Sequence, residues 1–126
     1  MNQEQIMRIH LIEKETDNLN EQIRFIDQNI DELRELTESL EVIEEREGEI
    51  LVNIGKKVYL PVEIKTKKLI VNVGKNNLVK KNIIETRLII NEQIDSLNES
   101  KFTIMNKLEE LQKETEELIK KLEKNQ

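Results

Sequence analysis

Two stretches of the chain place an apolar residue every three or four positions. The first stripe runs through Ile9, Ile12, Thr16, Leu19, Ile23, Ile26, Ile30, Leu33, Thr37 and Leu40, and eight of these ten are aliphatic. The second runs through Ile83, Arg87, Ile90, Ile94, Leu97, Lys101, Ile104, Leu108, Leu111, Thr115, Leu118 and Leu122, with nine of twelve aliphatic. A 3-4 spacing held over several heptads predicts coiled-coil helices rather than helices packed on a globular core. Each stretch has roughly 40 residues, about 60 Å of helix at 1.5 Å per residue.

The centre has another rhythm. Ile50-Leu51-Val52-Asn53-Ile54 ends at Gly55, and Val58-Tyr59-Leu60-Pro61-Val62-Glu63-Ile64 ends at Thr66. Leu69-Ile70-Val71-Asn72-Val73 ends at Gly74, and Asn77-Leu78-Val79-Lys80 follows. Six of the seven valines, all three glycines and the one proline lie within this part or at its edge. β-Branched runs punctuated by Gly and Asn predict four short strands in two hairpins, forming a small sheet. Pro61 cannot donate to a ladder, so it is expected at a strand edge or a bulge.

The expected fold class is therefore α+β: a long antiparallel two-helix coiled coil with two β-hairpins inserted between the helices. Residues 1–126 form a single domain. Residues 1–48 hold the first helix, 49–81 the hairpins and 82–126 the second helix. Folding the helices back on each other fixes a register. Ile9 then meets Leu122, Leu19 meets Leu111, Ile26 meets Ile104 and Leu40 meets Ile90. Thr16 meets Thr115, and Glu44 meets Arg87 beside the sheet. A slip of one heptad would set the threonines against aliphatic side chains.

Composition then narrows the chemistry. The 126 residues carry a net charge of −6, with 37% charged and 2% aromatic side chains. So few rings make a thick core improbable. With no cysteine there is no disulfide, thiolate nucleophile or cysteine zinc site. The one histidine, His10, falls on an outer helix position and cannot build a metal site. No catalytic residue, metal ligand or cofactor is expected. Gly55-Lys56-Lys57 and Gly74-Lys75-Asn76 lack the helix that a phosphate loop needs behind its glycine, so they are hairpin turns. No apolar run is long enough to span a membrane, and the first residues lack the pattern of a signal peptide. A cytoplasmic location is the expectation.

Charge is unevenly spread: net −9 over residues 1–48, +6 over 49–81 and −3 over 82–126. The basic centre invites nucleic acid, but it lacks arginine and has a single ring, whereas base readout and stacking favour both. Lysines on edge strands also block stray strand pairing, so nucleic acid is not the expected partner. Apolar residues off the seam are more informative. Ile6, Met7 and Leu11 cluster at the free end, beside Ile119. Leu36, Ile43, Ile84, Leu88 and Ile89 lie near the hairpins, expected to pack on the sheet or on a neighbouring subunit. Phe25, Phe102 and Met105 lie midway. Clustered exposed apolar residues tend to bind something.

The chain resembles prefoldin, specifically the α-class subunit of archaeal-type prefoldins. The resemblance covers nearly the whole chain. It is most specific at Glu49-Ile50-Leu51-Val52-Asn53-Ile54-Gly55, Tyr59-Leu60-Pro61-Val62, Leu69-Ile70-Val71-Asn72-Val73-Gly74 and Val79-Lys80-Lys81. The β-class has a single hairpin, which 33 residues overfill. Family members usually place proline where Asn53 stands, a departure that bears on local strand geometry.

The resemblance implies an ATP-independent holdase. Two α subunits would join four β-class subunits, their hairpins forming a double β-barrel from which six coiled coils hang. Assembly would use Ile50, Val52, Ile54, Leu60, Val62, Ile64, Leu69, Val71 and Val73. Unfolded client proteins would be gripped near the arm ends, where Ile6, Met7, Leu11, Leu118, Ile119 and Leu122 match by position, and passed to a group II chaperonin. Two other readings stand beside this one: a structural homo-oligomer or filament of α-class chains, and a nucleic-acid-binding coiled coil.

Overall fold

The computed structural model describes residues 2–124. Helix α1 (Gln3–Glu45) is followed by strands β1 (Glu49–Gly55), β2 (Val58–Glu63), β3 (Leu69–Asn72) and β4 (Leu78–Lys81), then by helix α2 (Ile83–Lys124). Each helix starts on an asparagine cap. Asn2 Oδ1 accepts the Gln5 N–H at 2.8 Å and Asn82 Oδ1 accepts the Glu85 N–H at 2.7 Å. Such caps satisfy donors that have no partner within the helix. Neither helix is long and apolar enough to cross a membrane.

All the seam positions on both helices are buried or half-buried, whereas nearly every position between them is exposed. The chain divides into two compact units. The terminal unit comprises Met1–Ile30 and Asp95–Gln126. Its most buried side chains are Ile12, Ile30 and Leu111, the last only 2% exposed. The helices run antiparallel there, because Arg8 reaches Glu114 and Asp27 reaches Lys101.

The central unit, Asp31–Ile94, holds the hairpins. Its core is Leu40, Ile83 and Ile90, with Leu33, Ile43, Leu69 and Ile94 packed against it. Arg87 and Glu44 form the expected ion pair, at 2.5 Å. Thr86, buried one turn into α2, satisfies its hydroxyl by donating to the Asn82 carbonyl at 2.8 Å.

The four strands do not form one small sheet. β1 pairs with β2 and β3 with β4, both antiparallel, as two separate sheets. The segment between β2 and β3 makes its contacts elsewhere. Ile64 N–H donates to the Gly48 carbonyl at 2.8 Å, and Lys67 Nζ donates to the Glu44 carbonyl at 2.7 Å. The β1–β2 irregularity lies between Asn53 and Gly55; Pro61 pairs with Leu51 in an unbroken register and, in this two-stranded sheet, lies on an edge strand as expected. At that shift Asn53 Oδ1 accepts the Gly55 N–H at 2.8 Å. Asn72 does the same for Gly74 at 2.9 Å. Each turn then carries two consecutive non-glycine residues at positive φ, Lys56 and Lys57 in one, Lys75 and Asn76 in the other. That backbone matches the strand twist of a tight hairpin.

Candidate functional site

The off-seam residues near the chain ends sit on the outside of the terminal coil. Ile6 is 37% exposed, Met7 65%, Leu11 52% and Ile119 45%. Leu118 and Leu122 are half-buried seam residues. The six fall into two groups: four that the coil leaves uncovered and two that it partly consumes. Between Met7 and Leu11, Arg8 grips Glu114 through two bonds, Nε to Oε1 at 2.7 Å and Nη2 to Oε2 at 2.9 Å. The hydrogen bond from Arg8, aided by its charge, lowers the Glu114 pKa. The same hydrogen bond, then the Glu114 charge, raises that of Arg8. Sequence reasoning missed this clip. Its signal was available, since charged residues just before seam positions pair across antiparallel coils.

Further along the coil, Phe25, Phe102 and Met105 are all more than half exposed. Two adjoining hollows lie on its surface. One, about 490 Å³, is lined by residues of both helices including Thr16 and Thr115. The other, about 360 Å³, is lined by Phe102 and Met105. Leu108 and Gln112 belong to both. The expected meeting of Thr16 and Thr115 is thus visible as a shared hollow. His10 is exposed, 3.7 Å from Glu13.

The hairpin residues expected to mediate assembly divide similarly. Ile50, Val62, Ile64, Leu69 and Val71 are half-buried, while Val52, Ile54, Leu60 and Val73 are exposed. The pairings Ile50 with Val62 and Val52 with Leu60 place these side chains on one face of the first hairpin. The opposite face is apolar too: Leu51 is 65% and Tyr59 53% exposed. In the second hairpin Ile70 and Leu78 are likewise exposed, on the face opposite Leu69 and Val71. The set of assembly residues expected from the sequence left out Leu51, Tyr59, Ile70 and Leu78. The signal was the unbroken run Ile50-Leu51-Val52, because a strand covered on both faces loses its alternation. Near the hairpins, Ile43 packs on the central core, whereas Leu36, Ile84 and Leu88 stay exposed.

The prefoldin subunit family model matches residues 12–126, which is most of the chain. This chain belongs to the prefoldin family. Its fold is similar to filamentous PFD from Methanocaldococcus jannaschii, solved by cryo-EM, with a TM-score of 0.80 and 21% identity. The match covers 91% of this prefoldin chain and 98% of that one. No curated protein matches the sequence. The α+β arrangement of two long helices with two antiparallel hairpins between them is the prefoldin fold. Prefoldins are a chaperone family rather than an enzyme family, and they assemble into oligomers.

Proposed function

We propose that this chain is an α-class prefoldin subunit acting as an ATP-independent holdase in the cytoplasm. Residues 1–126 serve as one functional domain. Its hairpins join those of β-class subunits in a double β-barrel, and its coil ends grip unfolded proteins for transfer to a group II chaperonin. Two hairpins between the helices, rather than one, support the α-class assignment.

The carrying observation is the uncovered group Ile6, Met7, Leu11 and Ile119. A holdase arm needs apolar surface that its own partner helix does not consume, and these four supply it. Methionine suits varied partners because its thioether side chain is flexible and polarisable. Leu118 and Leu122 add to the surface when the coil end frays. Each aliphatic side chain buried against a client contributes roughly 1.5–3 kcal/mol. Several arms on one client multiply the affinity through effective concentration.

The test is suppression of aggregation of a denatured protein without nucleotide. Ile6→Ser, Met7→Ser and Leu11→Ser together leave the seam intact. They are expected to abolish most protection while the assembly keeps its mass. A triple variant that protects as well as the parent refutes gripping at the coil ends. A homomeric structural assembly is the second reading, favoured by the likeness to a filamentous PFD. The native mass of the chain, alone and with a β-class partner, separates the two: growth without the partner supports the homomer.

A further inference from the structure

We propose that the terminal coil carries a second client site, a groove running along α2 from Phe102 to Glu116, which takes apolar polypeptide segments bearing lysine or arginine. The proposal rests on the holdase reading and names the client chemistry that this groove selects. Its origin is a defect in the seam. At Thr16 and Thr115 two short polar side chains stand where leucine or isoleucine would fill the space between helices. Thr115 turns its hydroxyl back to the Leu111 carbonyl at 3.0 Å. What remains is the hollow of about 490 Å³. It adjoins the hollow of about 360 Å³ beside Phe102 and Met105, since both share Leu108 and Gln112. Together they follow α2 for about 21 Å at 1.5 Å per residue.

The floor and rim differ in character. Phe102, 66% exposed, and Met105, 52% exposed, offer apolar surface at one end. Among the described residues, the charged side chains lining the groove are Glu109 and Glu116. Glu109 lies 3.8 Å from Lys113, whereas Glu116 has no cation within salt-bridge distance among the described residues. Asn20, Asn106 and Gln112 line it as well, able to meet a peptide backbone with either donor or acceptor. An apolar floor with an acidic rim fits a segment whose leucines reach Phe102 and Met105 while a lysine reaches Glu116. Acidic segments are repelled at the same rim. The groove therefore discriminates by charge, which Ile6, Met7, Leu11 and Ile119 cannot do.

The experiment measures fluorescence anisotropy of labelled amphipathic peptides with the assembled protein. One peptide is built of leucine and lysine, a second of leucine and glutamate, a third of serine and lysine. Phe102→Ser with Met105→Ser should weaken the leucine–lysine peptide at least about tenfold, the loss expected from removing even one large apolar contact. Glu116→Gln should weaken it roughly threefold in low salt, the scale of one exposed ion pair. Helicity by circular dichroism should stay unchanged in both variants, since the replaced side chains are exposed. Equal binding by parent and double variant overturns the proposal, as does equal affinity for the leucine–glutamate peptide. A photocrosslinker replacing Met105 should capture the leucine–lysine peptide; capture of a second copy of this chain instead assigns the groove to self-association and overturns the proposal. Failure here is distinct from failure of the holdase reading. If the Ile6, Met7 and Leu11 triple variant loses protection and the groove variant keeps it, only the groove falls. If the peptide binds the groove and no form of the protein suppresses aggregation, the groove stands and the holdase reading falls.

Discussion

Lys101 occupies a seam position of α2, and its Nζ donates to Asp27 Oδ1 at 2.7 Å. Both side chains are partly exposed, 32% and 47%, so the pair itself is worth at most about 1 kcal/mol. A lysine inside a hydrophobic seam lowers stability but tells the helices where to meet. Replacing it with Lys101→Leu is expected to stabilise the coil by about 1 kcal/mol. Asp27→Asn strands the ammonium and should destabilise slightly. Thermal unfolding followed by circular dichroism reads both, and a lower melting point for Lys101→Leu refutes the argument.

The fold-back register is checked by cysteines in place of Thr16 and Thr115. Both line one hollow, and the chain has no cysteine of its own to interfere. Oxidation should join them within a single chain, seen as a faster-migrating band under denaturing, non-reducing conditions. Crosslinks found only between chains contradict the intramolecular hairpin.

The seam was readable because its cause is local and repeated. Burial at Ile12, Ile30, Leu40, Ile90 and Leu111 follows from spacing alone. The Glu44–Arg87 pair was readable for the same reason, since once the register is set the partner is forced. The hairpins were half-readable. Their strands follow from β-branched runs, but their separation into two sheets depends on where Ile64 and Lys67 send their hydrogen bonds, which no local pattern reveals. One available signal went unused. Ile50-Leu51-Val52-Asn53-Ile54-Gly55-Lys56 recurs almost unchanged as Leu69-Ile70-Val71-Asn72-Val73-Gly74-Lys75. The repeat is physical as well, with the same Asn-to-Gly bond and the same positive φ at Lys56 and Lys75. The groove beside Phe102 was the least readable feature, because it arises from what two threonines fail to fill.

Lys67 supplies a cation that the last turn of α1 lacks. The last turn of α1 has no basic residue, and the Lys67 ammonium donates to the Glu44 carbonyl at its end. A positive charge at a helix C-terminus is worth about 0.3–1 kcal/mol. Lys67→Met should lower the stability of the central unit by that amount and speed amide exchange in the last turn of α1. Unchanged exchange there means the contact is incidental.

The Arg8–Glu114 clip makes the coil end sensitive to acid. Arg8 lowers the pKa of Glu114, so the clip stabilises the folded coil above the ordinary glutamate value of about 4.5. That contribution is lost as pH falls from there through the lowered folded value, because the protonated carboxyl no longer receives the charged pair. Amide exchange near Ile9 and Leu118, corrected for intrinsic rates, should accelerate over this window in the parent. In Glu114→Gln it should already be fast at neutral pH. A parent whose protection at the coil end is flat across the window shows that the clip does not hold it.

Both faces of the hairpins should be covered in the assembly. Leu51 and Val73 are 65% and 53% exposed in the single chain, so aspartate at either position costs an isolated chain within about 0.5 kcal/mol. In an assembly that covers them, the same aspartate is a buried charge without a partner, which costs several kcal/mol. Leu51→Asp and Val73→Asp are each expected to lower the native mass measured by light scattering while the helical signal persists. Leu51 tests the face opposite Val52 and Leu60. If Leu51→Asp leaves the mass unchanged while Val52→Asp lowers it, the first hairpin is covered on one face only, and Leu51 and Tyr59 are free for another partner. If none of the three substitutions changes the mass, assembly does not run through the hairpins.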